Sequence, residues 1–194
     1  MVFSHNLKNL ACLISGGHNG ILVFETGHSK PKVEKYFDIK QLNSIKPPAQ
    51  EFTQVSFYPI NEAQLCGSGP HNDLSLFLIV QPQVNVNDTS TQQAAAIVRS
   101  DLRRNSNPLL NTNAKVNITH HVWQEDGDYI VACTKEGHIV VKSNPAMRDT
   151  AQDLHFPKEH FISVQLHQHG MVAATHDSAF YIFSVDKTKK VHKF

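Results

Sequence analysis

The sequence predicts an all-β protein assembled from about four copies of one small antiparallel sheet. Three observations carry that prediction. A strand–turn–strand–turn–strand pattern recurs along the chain, glycine sits beside acidic or polar residues in many of the turns, and small residues recur in each central strand.

The first copy is the least complete: "LACLI" (10–14) leads through "SGGHNG" (15–20) into "ILVFE" (21–25). In the second, Val55 and Phe57 alternate into Tyr58-Pro59, Ile60-Asn61-Glu62 turns, "QLCG" (64–67) runs apolar, Pro70-His71-Asn72-Asp73 turns again, and "LSLFL" (74–78) closes. The third copy, "ITHHVWQEDGDYIVACTKEGHIVVKSNP" (118–145), alternates up to Trp123 and turns at Gln124–Asp128. It then runs apolar over Tyr129–Thr134, turns at Lys135-Glu136-Gly137, and resumes at His138. In the fourth, Ile162, Val164 and Leu166 alternate, His167-Gln168-His169-Gly170 turns, "MVAAT" (171–175) is the buried strand, His176-Asp177-Ser178 turns, and "FYIF" (180–183) closes. Asp126-Gly127 and Glu136-Gly137 suit tight connections, because glycine reaches positive φ without a steric penalty.

Measured at the last turn, near Gly20, Asp73, Gly137 and Ser178, the copies step by about 53, 64 and 41 residues. Repeats of ~40–50 residues holding three or four strands each are the signature of β-propeller blades of the WD-repeat type. One small twisted sheet cannot bury both of its faces; neighbouring blades bury them for each other. The expected blades are 1–46, 47–80, 114–150 and 156–194, an incomplete propeller. Ala11-Cys12, Cys66-Gly67, Ala132-Cys133 and Ala173-Ala174 then occupy the crowded central strands, which makes Cys12, Cys66 and Cys133 packing residues. Trp123, the only tryptophan, is expected to anchor one blade against its neighbour, at a cost of about 3–5 kcal/mol on truncation to alanine.

The long middle step comes from residues 81–113, rich in Asn, Gln, Ser and Thr. That composition offsets little ordering entropy, so an irregular polar insertion is expected at the rim. Only residues 94–104 could form a helical turn or an outer strand. Arg99, Arg103 and Arg104 make this stretch a candidate partner-binding loop. A second breaker, "NSIKPP" (43–48), separates the first two blades.

A net charge of +1 predicts no long-range attraction to nucleic acid or anionic membrane. No apolar run reaches the ~20 residues of a membrane helix, and "MVFSHN" is unlike a signal peptide, so a soluble intracellular protein is expected. The 13 histidines raise the question of metal. His120, His121, Asp126, Asp128, Cys133, Glu136 and His138 are tempting as a set, but adjacent strand residues point to opposite faces and the acidic residues serve turns. His167-x-His169 permits the alternative of a metal-dependent β-barrel enzyme of the cupin type, yet it falls in a turn followed at once by Gly170. The glycines of 16–20 lead into a strand, whereas a phosphate loop leads into a helix. No nucleophile motif is present. No catalytic residue, metal or cofactor is therefore expected.

Two stretches resemble a known group. "FTQVSFYPINEAQLCGSG" (52–69) resembles the segment of ciliary WD-repeat proteins in which V-S-F is followed by proline, a polar turn and a strand ending in T-G or S-G. "ITHHVWQEDGDYIVACTKEGHIVV" (118–141) is similar to the next blade of those proteins, with its H-x-W, acidic turn and G-x-φ-φ-φ strand. The resemblance implies a non-catalytic scaffold of the cilium or flagellum, seating inner dynein arms or regulatory complexes on doublet microtubules of the axoneme. The chain departs from the group in lacking a W-D dipeptide, since Gln124 follows Trp123, and in having no heptad stretch. Completion by further blades and membership of a large protein assembly are expected, with aggregation or poor cooperativity when the chain is expressed alone.

Overall fold

The computed structural model describes residues 1–14, 20–25, 32–38, 52–61, 63–78, 105–110, 116–143, 152–167, 170–184 and 191–193. All regular structure among them is strand, in four sheets of four strands each. The first sheet holds β1 (Val2–Phe3), β2 (Asn9–Ile14), β3 (Gly20–Glu25) and β4 (Lys32–Asp38). The second holds β5 (Gln54–Phe57), β6 (Gln64–Gly69), β7 (His71–Leu78) and β8 (Asn105–Pro108). In the third are β9 (Ile118–Trp123), β10 (Tyr129–Thr134), β11 (His138–Ser143) and β12 (Gln152–His155). The fourth is β13 (Phe161–His167), β14 (Gly170–Thr175), β15 (Phe180–Ser184) and β16 (Val191–Lys193). Each sheet is a simple antiparallel meander.

The apolar runs follow from burial on both faces. Along β10, Ile130 and Ala132 pack with Cys66 and Leu74 of the second sheet and with Leu109 just after it, while Val131 and Cys133 pack with Phe161, Val164 and Ala173 of the fourth. A third cluster joins Ala11, Ile21 and Val23 of the first sheet to Val55, Phe57 and Leu65 of the second. Three cores therefore separate four sheets. The first strands β1, β5, β9 and β13 touch in succession, so the sheets stand in chain order around one side of an axis. Among the described residues no comparable contact joins the fourth sheet to the first.

Both glycine turns of the third sheet have the backbone expected of them, with φ of 72° at Gly127 and 87° at Gly137. The cysteines are free, and Cys66 and Cys133 are buried in the second strands of their sheets, β6 and β10. Trp123 is half-buried at the edge of the core between the second and third sheets, its ring 5.0 Å from that of Tyr58 across the interface.

Two details differ from expectation. The second turn of the second sheet is far tighter than a loop over 70–73: β7 already begins at His71, and a register irregularity at Ser68/Gly69 absorbs the change. Part of the polar stretch 81–113 is strand, because Asn105–Pro108 pairs with β7 as the outer member of the second sheet, and the following Leu109 and Leu110 are buried. An outermost strand tolerates proline and polar residues, since half of its backbone faces away from the ladder. Arg99, Arg103 and Arg104 lie outside the described residues.

Candidate functional site

The most elaborate side-chain arrangement lies where the second sheet meets the third, and it grows from strand alternation. In β5, Val55 and Phe57 face the first sheet, which leaves Gln54 and Ser56 facing β9. There the buried ring of His121 is held at both nitrogens: Nε2 is 2.7 Å from Ser56 Oγ and Nδ1 is 2.6 Å from Ser68 Oγ. The Gln54 side-chain amide completes the lock. Its Oε1 accepts from the His121 N–H at 2.6 Å and its Nε2 donates to the His121 carbonyl at 2.8 Å. A neutral imidazole suits this site, since a hydroxyl can donate to one ring nitrogen and accept from the other.

A bulge aims the neighbouring residues the other way. Between Cys133 and Thr134 the β9–β10 register slips by one, with Cys133 opposite His120 and Thr134 opposite Ile118. Thr119 and His120 both turn to the fourth sheet as a result. The Thr119 hydroxyl is 2.8 Å from the Phe161 carbonyl, and the Val164 N–H lies 3.4 Å from His120 Nδ1. One strand thus ties together three blades.

The candidate ligand residues are dispersed by this arrangement. Glu136 takes the backbone and side-chain N–H groups of Asn117, Asp126 accepts from Gln124, and His138 pairs with Asp153 at 3.0 Å. The Asp128 backbone N–H is bonded to the Gln124 side chain. Burial pushes the Cys133 thiol up to about 11, which removes it as a nucleophile at neutral pH. His167 is exposed at the very end of β13, opposite Gly170 in register, rather than in the loop itself; His169 lies outside the described residues. Among the described residues no three His, Cys, Asp or Glu side chains are grouped to hold a metal.

What remains open is the surface around Trp123. A cleft of about 650 Å³ between the third and fourth sheets is bordered by Trp123, Glu125, Asp126, Tyr129, Gln165 and Leu166. A smaller one of about 370 Å³ runs along the first strands of the first three sheets, with Phe3, Gln54, Phe57, His120 and Trp123 on its walls. Trp123 Nε1 is buried and has no hydrogen-bond partner among the described residues. The two clefts meet at one indole, a half-apolar surface of the kind that takes a protein segment.

Solved structures decide the fold. The chain superposes over 99% of its length, with a TM-score of 0.69 and 14% identity, on the β-propeller domain of Cps50 (Swd1) from Myceliophteria thermophila. The fold is that of a WD40-type β-propeller. The C-terminal WD40 domain of Sif2 matches 74% of the chain at a TM-score of 0.50 and 13% identity. A protein described as a 6-phosphogluconolactonase from Bacteroides uniformis matches 99% at 0.65 and 15%. The chain spans 56%, 36% and 52% of those three chains respectively, so it is an arc of a propeller. No family model matches the sequence, and no curated protein does. Four separate meanders replace the jelly-roll barrel that a cupin-type enzyme requires.

Sequence reasoning missed Gln54, Ser56 and Ser68. Their signal was present: Gln54 and Ser56 alternate with Val55 and Phe57, so a polar row faces a blade interface that is otherwise apolar. The V-S-F, S-G and H-x-W elements quoted above supply Ser56, Ser68 and His121, which form one network.

That network makes stability depend on pH. Burial, with His120 adding to it, pushes His121 down to about 3 from 6.5. Below the higher value the unfolded chain takes up a proton that the folded chain refuses. Stability is therefore full above about pH 6.5 and is lost as pH falls toward 3, at up to about 1.4 kcal/mol per pH unit. Urea melts at about pH 7 and about pH 5 should show this loss in the wild type and a shallower one in His121→Gln. Equal slopes would contradict it.

Proposed function

We propose that this propeller arc is a non-catalytic WD-repeat scaffold of the ciliary or flagellar axoneme, helping to seat inner dynein arm or regulatory complexes on doublet microtubules. The observation that carries the reading is the Ser56–His121–Ser68 network, because it is built from the segments in which the chain resembles axonemal WD-repeat proteins. Among those proteins the order of the blades resembles cilia- and flagella-associated protein fifty-seven. A scaffold role also suits the chemistry, in which the polar side chains of β9 and its turns are spent on joining blades and closing hairpins. Protein partners would meet the arc at the clefts around Trp123, in the cytoplasmic and cytoskeletal setting of the cilium.

The test is location and company. A tagged full-length protein should decorate axonemes and stay with them after detergent extraction, and dynein-arm subunits should be enriched when it is isolated. A tag confined to the cell body, with other partners, would replace the axonemal role by that of a general WD-repeat adaptor. Turnover of a small molecule abolished by a single side-chain change would replace both.

A further inference from the structure

The third sheet carries a histidine pair where its two outer strands meet. His138 opens β11 and His155 ends β12, and the two are directly opposite in register. Opposite residues of an antiparallel pair share a face, with Cβ atoms about 5 Å apart. The two rings lie parallel, at 3°, with centroids 4.0 Å apart. Asp153 stands two residues before His155 and therefore on the same face. Both of its carboxylate oxygens are 3.0 Å from His138 Nδ1.

We propose that His138 and His155 chelate a divalent first-row metal ion of the zinc class, with Asp153 as the group that orients His138. A carboxylate only accepts, so it fixes the His138 proton on Nδ1 and leaves the Nε2 lone pair for a metal. A carboxylate behind a ligating imidazole is the usual support of such a site. Nitrogens bound to one tetrahedral zinc at about 2.0–2.1 Å stand about 3.3 Å apart, a spacing the stacked pair reaches when the rings tilt toward each other. His155 is exposed at the end of its strand, and its ring has no hydrogen bond among the described residues, so it can make that tilt. Imidazole ligands suit zinc, copper(II) and nickel, whereas magnesium and calcium take oxygen. Among the described residues no group of three His, Cys, Asp or Glu side chains converges there, so water fills the remaining positions and the ion exchanges readily. Its effect would be mechanical. The pair exists only in the folded register, so the ion stabilises the fold by binding it. It would tie β11 to β12, which is exposed at three of its four positions, beside the Gly137 turn that holds the Phe156 N–H. His160 and His176 are the internal comparison. They also stack, but with centroids 5.4 Å apart, and their neighbouring carboxylate, Asp177, is 86% exposed and 3.6 Å from His176 Nδ1.

The proposal is independent of the axonemal role, and metal titration tests it separately from localisation. Calorimetric titration of the chain, purified without an affinity tag, with zinc chloride at neutral pH should show one equivalent that His155→Gln abolishes and that Asp153→Asn weakens about tenfold. The double change His160→Gln, His176→Gln should leave that equivalent unaltered. Zinc should also raise the thermal midpoint of the wild type, and magnesium chloride should not. His155 and Asp153 are exposed, so circular dichroism should keep its β character in both variants. The wild type alone supplies a second readout: on adding zinc, the two-bond nitrogen–proton NMR signals of His138 should move at Nε2 while Nδ1 stays protonated. No zinc binding by the wild type would overturn the proposal. So would binding that survives His155→Gln, is unchanged in Asp153→Asn, is lost in the double variant, is matched by magnesium, or leaves His138 Nε2 unmoved.

Discussion

Gly137→Ala should lower stability by about 3 kcal/mol or more, measured as the shift of the urea transition at constant slope. Two effects add. The residue holds φ at 87°, where a side chain is strained whatever the space around it. A Cβ there would also lie 2.0 Å from the Phe156 carbonyl oxygen and 2.9 Å from that of Glu159. The Phe156 oxygen, the nearer of the two, is held in place. The Phe156 N–H is bonded to the Gly137 carbonyl, and the Phe156 carbonyl accepts from Glu159. The segment leading from the third blade to the fourth is thus laid over the β10–β11 turn. Gly127→Ala is the matched control: its φ is 72°, but the new methyl would meet side-chain atoms of Tyr58 and Ile60, and Ile60 is mostly exposed. Its cost should be smaller, at about 1–2 kcal/mol. Equal effects at the two glycines would show that backbone crowding at Phe156 is not what matters.

Phe161→Ala should cost about 3–5 kcal/mol, through lost burial and the cavity left behind. The ring is fully buried between the third and fourth blades. It meets Phe156 edge-on, with centroids 5.8 Å apart and planes at 82°, and Tyr181 at 5.5 Å and 75°. The Tyr181 hydroxyl donates in turn to Glu159. Removing the ring therefore loosens the join between two blades as well as one contact. Ile182→Ala on the outer face of the same sheet should cost under about 1 kcal/mol in the isolated chain. If the two substitutions cost the same, the core does not lie between the blades.

The contrast between these sites also explains what the sequence revealed. Strands such as Tyr129–Thr134 are apolar throughout because neighbouring blades bury both their faces, and Val55 and Phe57 alternate because β5 meets polar partners on its other side. The turns were legible from Gly127, Gly137 and the acidic residues beside them. Outer strands were not. Gln152–His155 is exposed at three of four positions, and Asn105–Pro108 is "NSNP", so neither shows a period to read. The opening strand, Val2–Phe3, is too short to show one. The polar lock was hidden for another reason. Gln54, Ser56, Ser68 and His121 are common surface residue types, and only the packing of one blade on the next brings them within hydrogen-bond distance.

A crystal structure of the chain tests the arc most directly. The result expected is four antiparallel meanders in chain order, with the His121 ring between the hydroxyls of Ser56 and Ser68 and the fourth sheet apart from the first of its own chain. A fourth sheet folded back onto the first within one chain, or strands joined in a single closed barrel, would contradict it.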